Sequence, residues 1–148
     1  MKGARPLSPG EIELACSMFG DAIDYHRVRL YRRKWWPFHP KGAAMAPTGN
    51  IHFHPERGGW SEDFSSEPLS LQGFFIHELT HVWQAQARGR LYLPLRRHPF
   101  CRYRYRLAPG KPFNAYNPEQ QAEIVRHIFL AERGVRLADT PQRSILPF

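Results

Sequence analysis

The sequence has no apolar stretch approaching the roughly 18 residues that a membrane span requires, and its basic amino end carries no apolar run of signal-peptide length. Those absences predict a chain made in the cytoplasm with no cleavable signal and no membrane span, leaving signal-independent export as a way out. Cysteine is nearly missing. Cys16 and Cys101 share no CxxC spacing, which argues against a disulfide scaffold or a thiolate zinc cluster. Acidic residues are scarce too: 13 Asp and Glu face 21 Lys and Arg, for a formal charge of +8. That imbalance admits nucleic acid, anionic lipid or an acidic protein as partner. Internal repeats and low-complexity tracts are also lacking.

What remains is 148 residues, 42% hydrophobic and 14% aromatic, which suits one domain spanning 1–148 with a ring-rich core. Ser8-Pro9-Gly10-Glu11 predicts a capped helix start, with Ile12, Ala15, Cys16 and Phe19 on the buried face and a stop at Gly20. Val28 and Leu30 alternate with polar neighbours as a half-buried strand. A second strand runs over Asn50, Ile51, His52, Phe53 and His54, with Ile51 and Phe53 on one face. Both belong to one small sheet, and the proline-broken aromatic run from Trp35 to Pro40 reads as a packed connection.

A helical period starting near Ser66 to Pro68 carries Leu71, Phe75, Leu79 and Val82 inward and stops at Gly89. By the same spacing Phe74, Phe75 and Trp83 are core residues. The basic, proline-punctuated stretch from Arg90 to Pro112 reads as a long surface connection. Asn117-Pro118-Glu119-Gln120 caps a further helix that buries Ala122, Val125, Ile128 and Phe129 and ends at Gly134; residues 135–148 receive no assignment. The fold class is α+β, a short sheet packed on two principal helices.

The chemistry sits in the middle of the first of these helices, where residues 77–81 read HELTH. Four residues apart, His77 and His81 project from one face and can share one zinc ion, Zn2+. Glu78 is rotated roughly 100° from His77, so it reaches the edge of such a site without ligating and suits the role of general base. A catalytic zinc needs a third protein ligand and an open position. The extended HExxHxxGxxH pattern fails, because Gln84 and Ala87 stand where glycine and histidine would be. The chain offers instead Glu119 and Glu123, one turn apart on the downstream helix: one carboxylate can ligate while the other orients a histidine, and the residues alone leave the order open.

HELTH followed by Glu119-Gln120-Gln121-Ala122-Glu123 resembles the gluzincin metallopeptidases, whose downstream helix carries a glutamate ligand and, four residues on, a supporting acid. More closely, FFIHELTHVWQAQARG and EQQAEIV, with DAIDYHRVRLYRRKWWPFHP and NIHFHP upstream, resemble short Vgr-related proteins and the metallopeptidase toxin domains of type VI secretion spikes. The resemblance runs from about Pro6 to Gly134. It implies a zincin-like fold, a protein or peptide substrate and a secretion-spike delivery partner. By it Glu119 matches the ligand and Glu123 the supporting acid, with Glu in place of the usual Asp.

Other residues are expected nearer the margin of the site. The strand Asn50 to His54 is the candidate edge for pairing with an extended substrate, with His52 and His54 on a solvated or substrate-facing side. Tyr116 and His98 are candidate donors to a tetrahedral oxyanion. Arg96, Arg97, Arg102, Arg104 and Arg106 interleave with Phe100, Tyr103 and Tyr105, a composition that defines the alternative function: a module binding single-stranded nucleic acid, its metal structural or absent.

Overall fold

The computed structural model describes residues 3–56, 59–96 and 102–148. Strand β1 (Ala4–Pro6) leads into helix α1 (Pro9–Phe19), strands β2 (Arg29–Tyr31), β3 (Ala44–Met45) and β4 (Ile51–Phe53), helix α2 (Leu69–Arg88), a short α3 (Tyr92–Arg96) and helix α4 (Pro118–Glu132). The result is a mixed α+β arrangement with four strands and four α-helices among the described residues.

Both predicted capping boxes form. Ser8 Oγ accepts from Glu11 N, and the Glu11 carboxylate accepts from Ser8 N. Asn117 Oδ1 accepts from Gln120 N while Gln120 Oε1 accepts from Asn117 N, so each helix begins with its first free donors satisfied. The inward face of α1 is Glu11, Ala15, Met18 and Phe19; Cys16 is exposed, contrary to the expected core position, because the buried stripe passes on its other side.

Glu11 is the unexpected member of that face. Completely buried, it binds Arg5 through both carboxylate oxygens at 2.8 Å and accepts from Phe64 N at 2.9 Å, tying β1, α1 and the 61–66 turn together. A buried carboxylate is tolerated only when paired and hydrogen-bonded in this way.

The sheet order is β1-β2-β4-β3, with β2 and β4 parallel and the two outer pairings antiparallel. The connection after β2 carries β3 to the far side of β4 before the chain returns. This makes β4 an inner strand, so Asn50 to His54 is not the substrate-pairing edge expected of it; the sheet ends in β1 and β3. Both faces of β4 are buried, His52 lying against Tyr31 and His54 against His39, so neither histidine is solvated.

Helix α2 contacts both β4 and α4. On the sheet side Phe53, Phe64 and Phe75 stack in sequence, with ring centroids 5.6 and 4.8 Å apart. On the other side the helices approach closely at Gly73, where an added Cβ would fall 3.2 Å from Leu130 Cδ2. The carboxyl end has a defined place. Phe148 packs against Phe19, Trp83 and Phe113, and Arg143 binds Glu132 and the Ser17 carbonyl, closing the core at the ends of α1 and α4.

Candidate metal centre

Between α2 and α4 lies a stripe of buried polar residues: His77, Glu78, Thr80, His81 and Gln84 on one helix, Glu119 and Gln121 on the other. Polar groups are driven into a helix interface only if the interface satisfies them, and most of these are satisfied. Gln84 is fixed by two bonds from its amide nitrogen, 3.0 Å to the Pro118 carbonyl and 2.9 Å to Gln121 Oε1. Gln121 in turn donates to the carbonyls of Phe113 and Tyr116. The Gln84 oxygen therefore faces His81, 2.8 Å from its Nδ1.

That contact sets the His81 tautomer. An amide oxygen can only accept, so His81 Nδ1–H donates and Nε2 carries a bare lone pair. His77 is set the same way, its Nδ1–H donating to Glu123 Oε2 at 3.4 Å. Both Nε2 atoms turn toward Glu119: His77 Nε2 lies 3.2 Å from Oε2 and His81 Nε2 lies 3.2 Å from Oε1. His81 Nε2 has no hydrogen-bond partner, although it is buried. A buried imidazole lone pair beside a carboxylate is a setting that a cation would satisfy, and the donor set of His77, His81 and Glu119, all within 4.8 Å of one another, could hold a metal ion.

The electrostatics fit the same picture. Burial alone would lower the His77 pKa, but hydrogen bonds to Glu119 and Glu123 and the nearby Glu78 charge overcome it and hold the imidazole at about 9. Burial would raise the Glu123 carboxyl, and His77 and Arg126 instead bring it down to about 2. The carboxylates thus stabilise positive charge at the spot the lone pairs surround.

A cleft of about 330 Å³ opens onto this group, lined by Ala43 and Ala44 at the β3 edge, Phe74, His77, Glu78, Tyr103, Glu123 and Arg126. Phe74 is therefore a cleft wall as well as a neighbour of Phe53. Tyr103 stacks over His77 with ring centroids 6.0 Å apart. It is held there by the chain around it, since Asn117 and Gln120 donate to the Arg102 and Arg104 carbonyls. The sequence marks Tyr103 only as a ring in the basic run, because its place over His77 depends on how residues 102–106 cross the start of α4.

Tyr116 takes no part in the cleft: it is buried, and its hydroxyl lies 3.4 Å from the Arg106 carbonyl and the Ala108 amide. His98, like Arg97, Phe100 and Cys101, lies outside the described residues. Tyr103 is turned onto His77 and the Tyr105 hydroxyl meets His127 Nδ1 at 2.6 Å. No described helix is long and apolar enough to cross a membrane.

Fold and site together define an α+β domain with a buried two-histidine, one-glutamate group beside an open cleft. No family profile matches the chain. In sequence it is 46% identical over 136 residues to the type VI secretion system spike protein VgrG2b of Pseudomonas aeruginosa, a match covering 87% of this chain and 13% of that protein. In structure it is similar to the effector domain of Pseudomonas aeruginosa VgrG2b, with a TM-score of 0.77 and 43% identity, covering 90% of this chain and 77% of that one. The chain belongs to the family of that effector domain.

Proposed function

We propose that the chain is a zinc-dependent peptidase acting as an effector delivered by a type VI secretion spike. The observation that carries the reading is the meeting of His77 Nε2, His81 Nε2 and Glu119 in one buried group, their ligand atoms all within 4.8 Å of one another, a set that a divalent cation would satisfy. Two imidazoles and one carboxylate suit zinc, and three protein ligands leave a position open for chemistry. When bound, the ion supplies Lewis acidity, polarising a carbonyl and making water acidic near neutral pH.

The chain's own residues do the rest. Glu78, next to His77 but turned to the cleft, takes the proton of the attacking water and returns it to the leaving amine. Glu123 and Gln84 hold the two imidazoles from behind, so the ligand nitrogens are aimed before any ion arrives. An extended peptide pairs with the outer edge of β3, in place of the inner strand, and Phe74 and Tyr103 wall its side chains.

Cleavage of casein or a peptide library by the zinc-loaded protein tests the reading, with Glu78→Ala as the comparison. Cleavage is expected from the parent alone; equal cleavage by the variant would remove Glu78 from the mechanism. The effector role predicts a growth defect when the domain is expressed in a bacterial periplasm and none with Glu78→Ala. Salt-sensitive binding to single-stranded DNA without proteolysis would favour the nucleic-acid module instead.

A further inference from the structure

The connection between β2 and β3 is exposed at every residue from Arg32 to Phe38, and it displays Trp35 at 40%, Trp36 at 44% and Phe38 at 77% exposure. Single exposed aromatics are ordinary, but three in four residues, with Trp36 and Phe38 in edge contact at 5.3 Å, form one apolar tip. The tip is built and not merely loose. Buried His39 donates from Nε2 to the Ala43 carbonyl at 2.8 Å and accepts from Trp35 N at 3.1 Å, fixing the loop from beneath while its rings face out.

The loop's own charges are all basic. From Arg32 to Lys41 there is no acidic residue, and Arg32, Arg33, Lys34 and Lys41 flank the rings. Lys41 meets exposed Glu56 at 2.7 Å, and Arg33 lies over the Tyr31 ring. Tryptophan and phenylalanine at the tip with lysine and arginine at the base is the pattern of an interfacial membrane contact: rings enter the headgroup boundary and cations meet anionic lipid. Protein interfaces are depleted in lysine, whereas Lys34 and Lys41 both flank these rings.

We propose that the Arg32–Lys41 loop docks the domain on the surface of an anionic phospholipid bilayer by inserting Trp35, Trp36 and Phe38 at the interface. Because the loop runs directly into Ala43 and Ala44, docking holds the cleft at the membrane surface, where substrates near that surface would be met first. This goes beyond the peptidase reading and does not depend on it.

Flotation of the whole protein with phosphatidylcholine vesicles, with and without phosphatidylglycerol, tests the proposal. Binding is expected only with the anionic lipid, falling as salt rises. The combined variant Trp35→Ser, Trp36→Ser, Phe38→Ser should partition at least about tenfold more weakly with an unchanged melting temperature. Should that variant unfold, Phe38→Ser, at the most exposed position, should still bind a few-fold more weakly, about 2 to 5 times. No binding to phosphatidylglycerol vesicles would overturn the proposal, as would undiminished binding of the aromatic variants, which would reduce the effect to the overall charge of +8. Loop-dependent binding to single-stranded DNA or to a peptide without vesicle binding would overturn it equally.

Discussion

Replacing Gln84 with leucine removes three buried contacts at once: the acceptor for His81 Nδ1–H at 2.8 Å and the donors to the Pro118 carbonyl at 3.0 Å and Gln121 Oε1 at 2.9 Å. Leucine fills a similar volume, so the cost is one of unpaired polar groups, about 1–3 kcal/mol for each group left dry. Part of that is recovered because Gln121 keeps its bonds to Phe113 and Tyr116 and leucine is itself favourably buried. A net loss of about 2–4 kcal/mol is expected by urea unfolding. A second effect separates support of the fold from support of the metal. With His81 free to turn or change tautomer, zinc affinity of the folded protein should fall about 10–100-fold, which is about 1.4–2.7 kcal/mol, by chelator competition. Gln84→Glu keeps the acceptor but sets a carboxylate oxygen against Pro118 O and Gln121 Oε1, so it should lose stability and retain most zinc affinity. A folded Gln84→Leu that binds zinc as tightly as the parent would refute the reasoning.

Glu123→Ala should weaken zinc about 10–100-fold without abolishing binding, since Glu123 touches only the outer nitrogen of His77; complete loss by chelator competition would make it the ligand. Zinc must displace a proton from His77, whose pKa is held at about 9, so zinc affinity should rise with pH and level off near 9 when titrated across that range. In chelator-treated protein the sign runs the other way: the raised His77 pKa contributes stability that is complete below about 6.5, the unfolded value, and is lost as pH rises through about 9, visible in melting temperature. Glu11→Ala should cost about 3–5 kcal/mol by denaturant unfolding, because it takes the carboxylate from the part-buried Arg5 charge and the acceptor from Phe64 N, and it should leave zinc affinity unchanged.

How much of this was legible beforehand depended on how local the cause was. The caps at Ser8 and Asn117 are written within four residues, and the apolar periods of α2 and α4 within twenty, so those elements were readable. Alternation around residues 28–30 and 51–53 marks β2 and β4, but Ala4–Pro6 and Ala44–Met45 show none, so β1 and β3 are not legible, nor is the parallel β2–β4 pairing that makes β4 an inner strand. HELTH pointed to His77 and His81 by spacing, whereas the geometry around Glu119 depends on α4 lying against α2. Gln84, read only as a departure from a histidine-rich motif, is the group behind His81, a role that needs Pro118 and Gln121 from another helix. The burial of Glu11 was hidden for the same reason, since part of its support comes from residue 64.

The central claim is that His77, His81 and Glu119 form one metal centre. Its most direct test is zinc content after dialysis, measured for the parent and for Glu119→Ala with both shown to be folded. One zinc ion per parent chain and none in Glu119→Ala is the predicted result; a folded parent that retains no zinc, or a variant that retains it undiminished, would contradict the account.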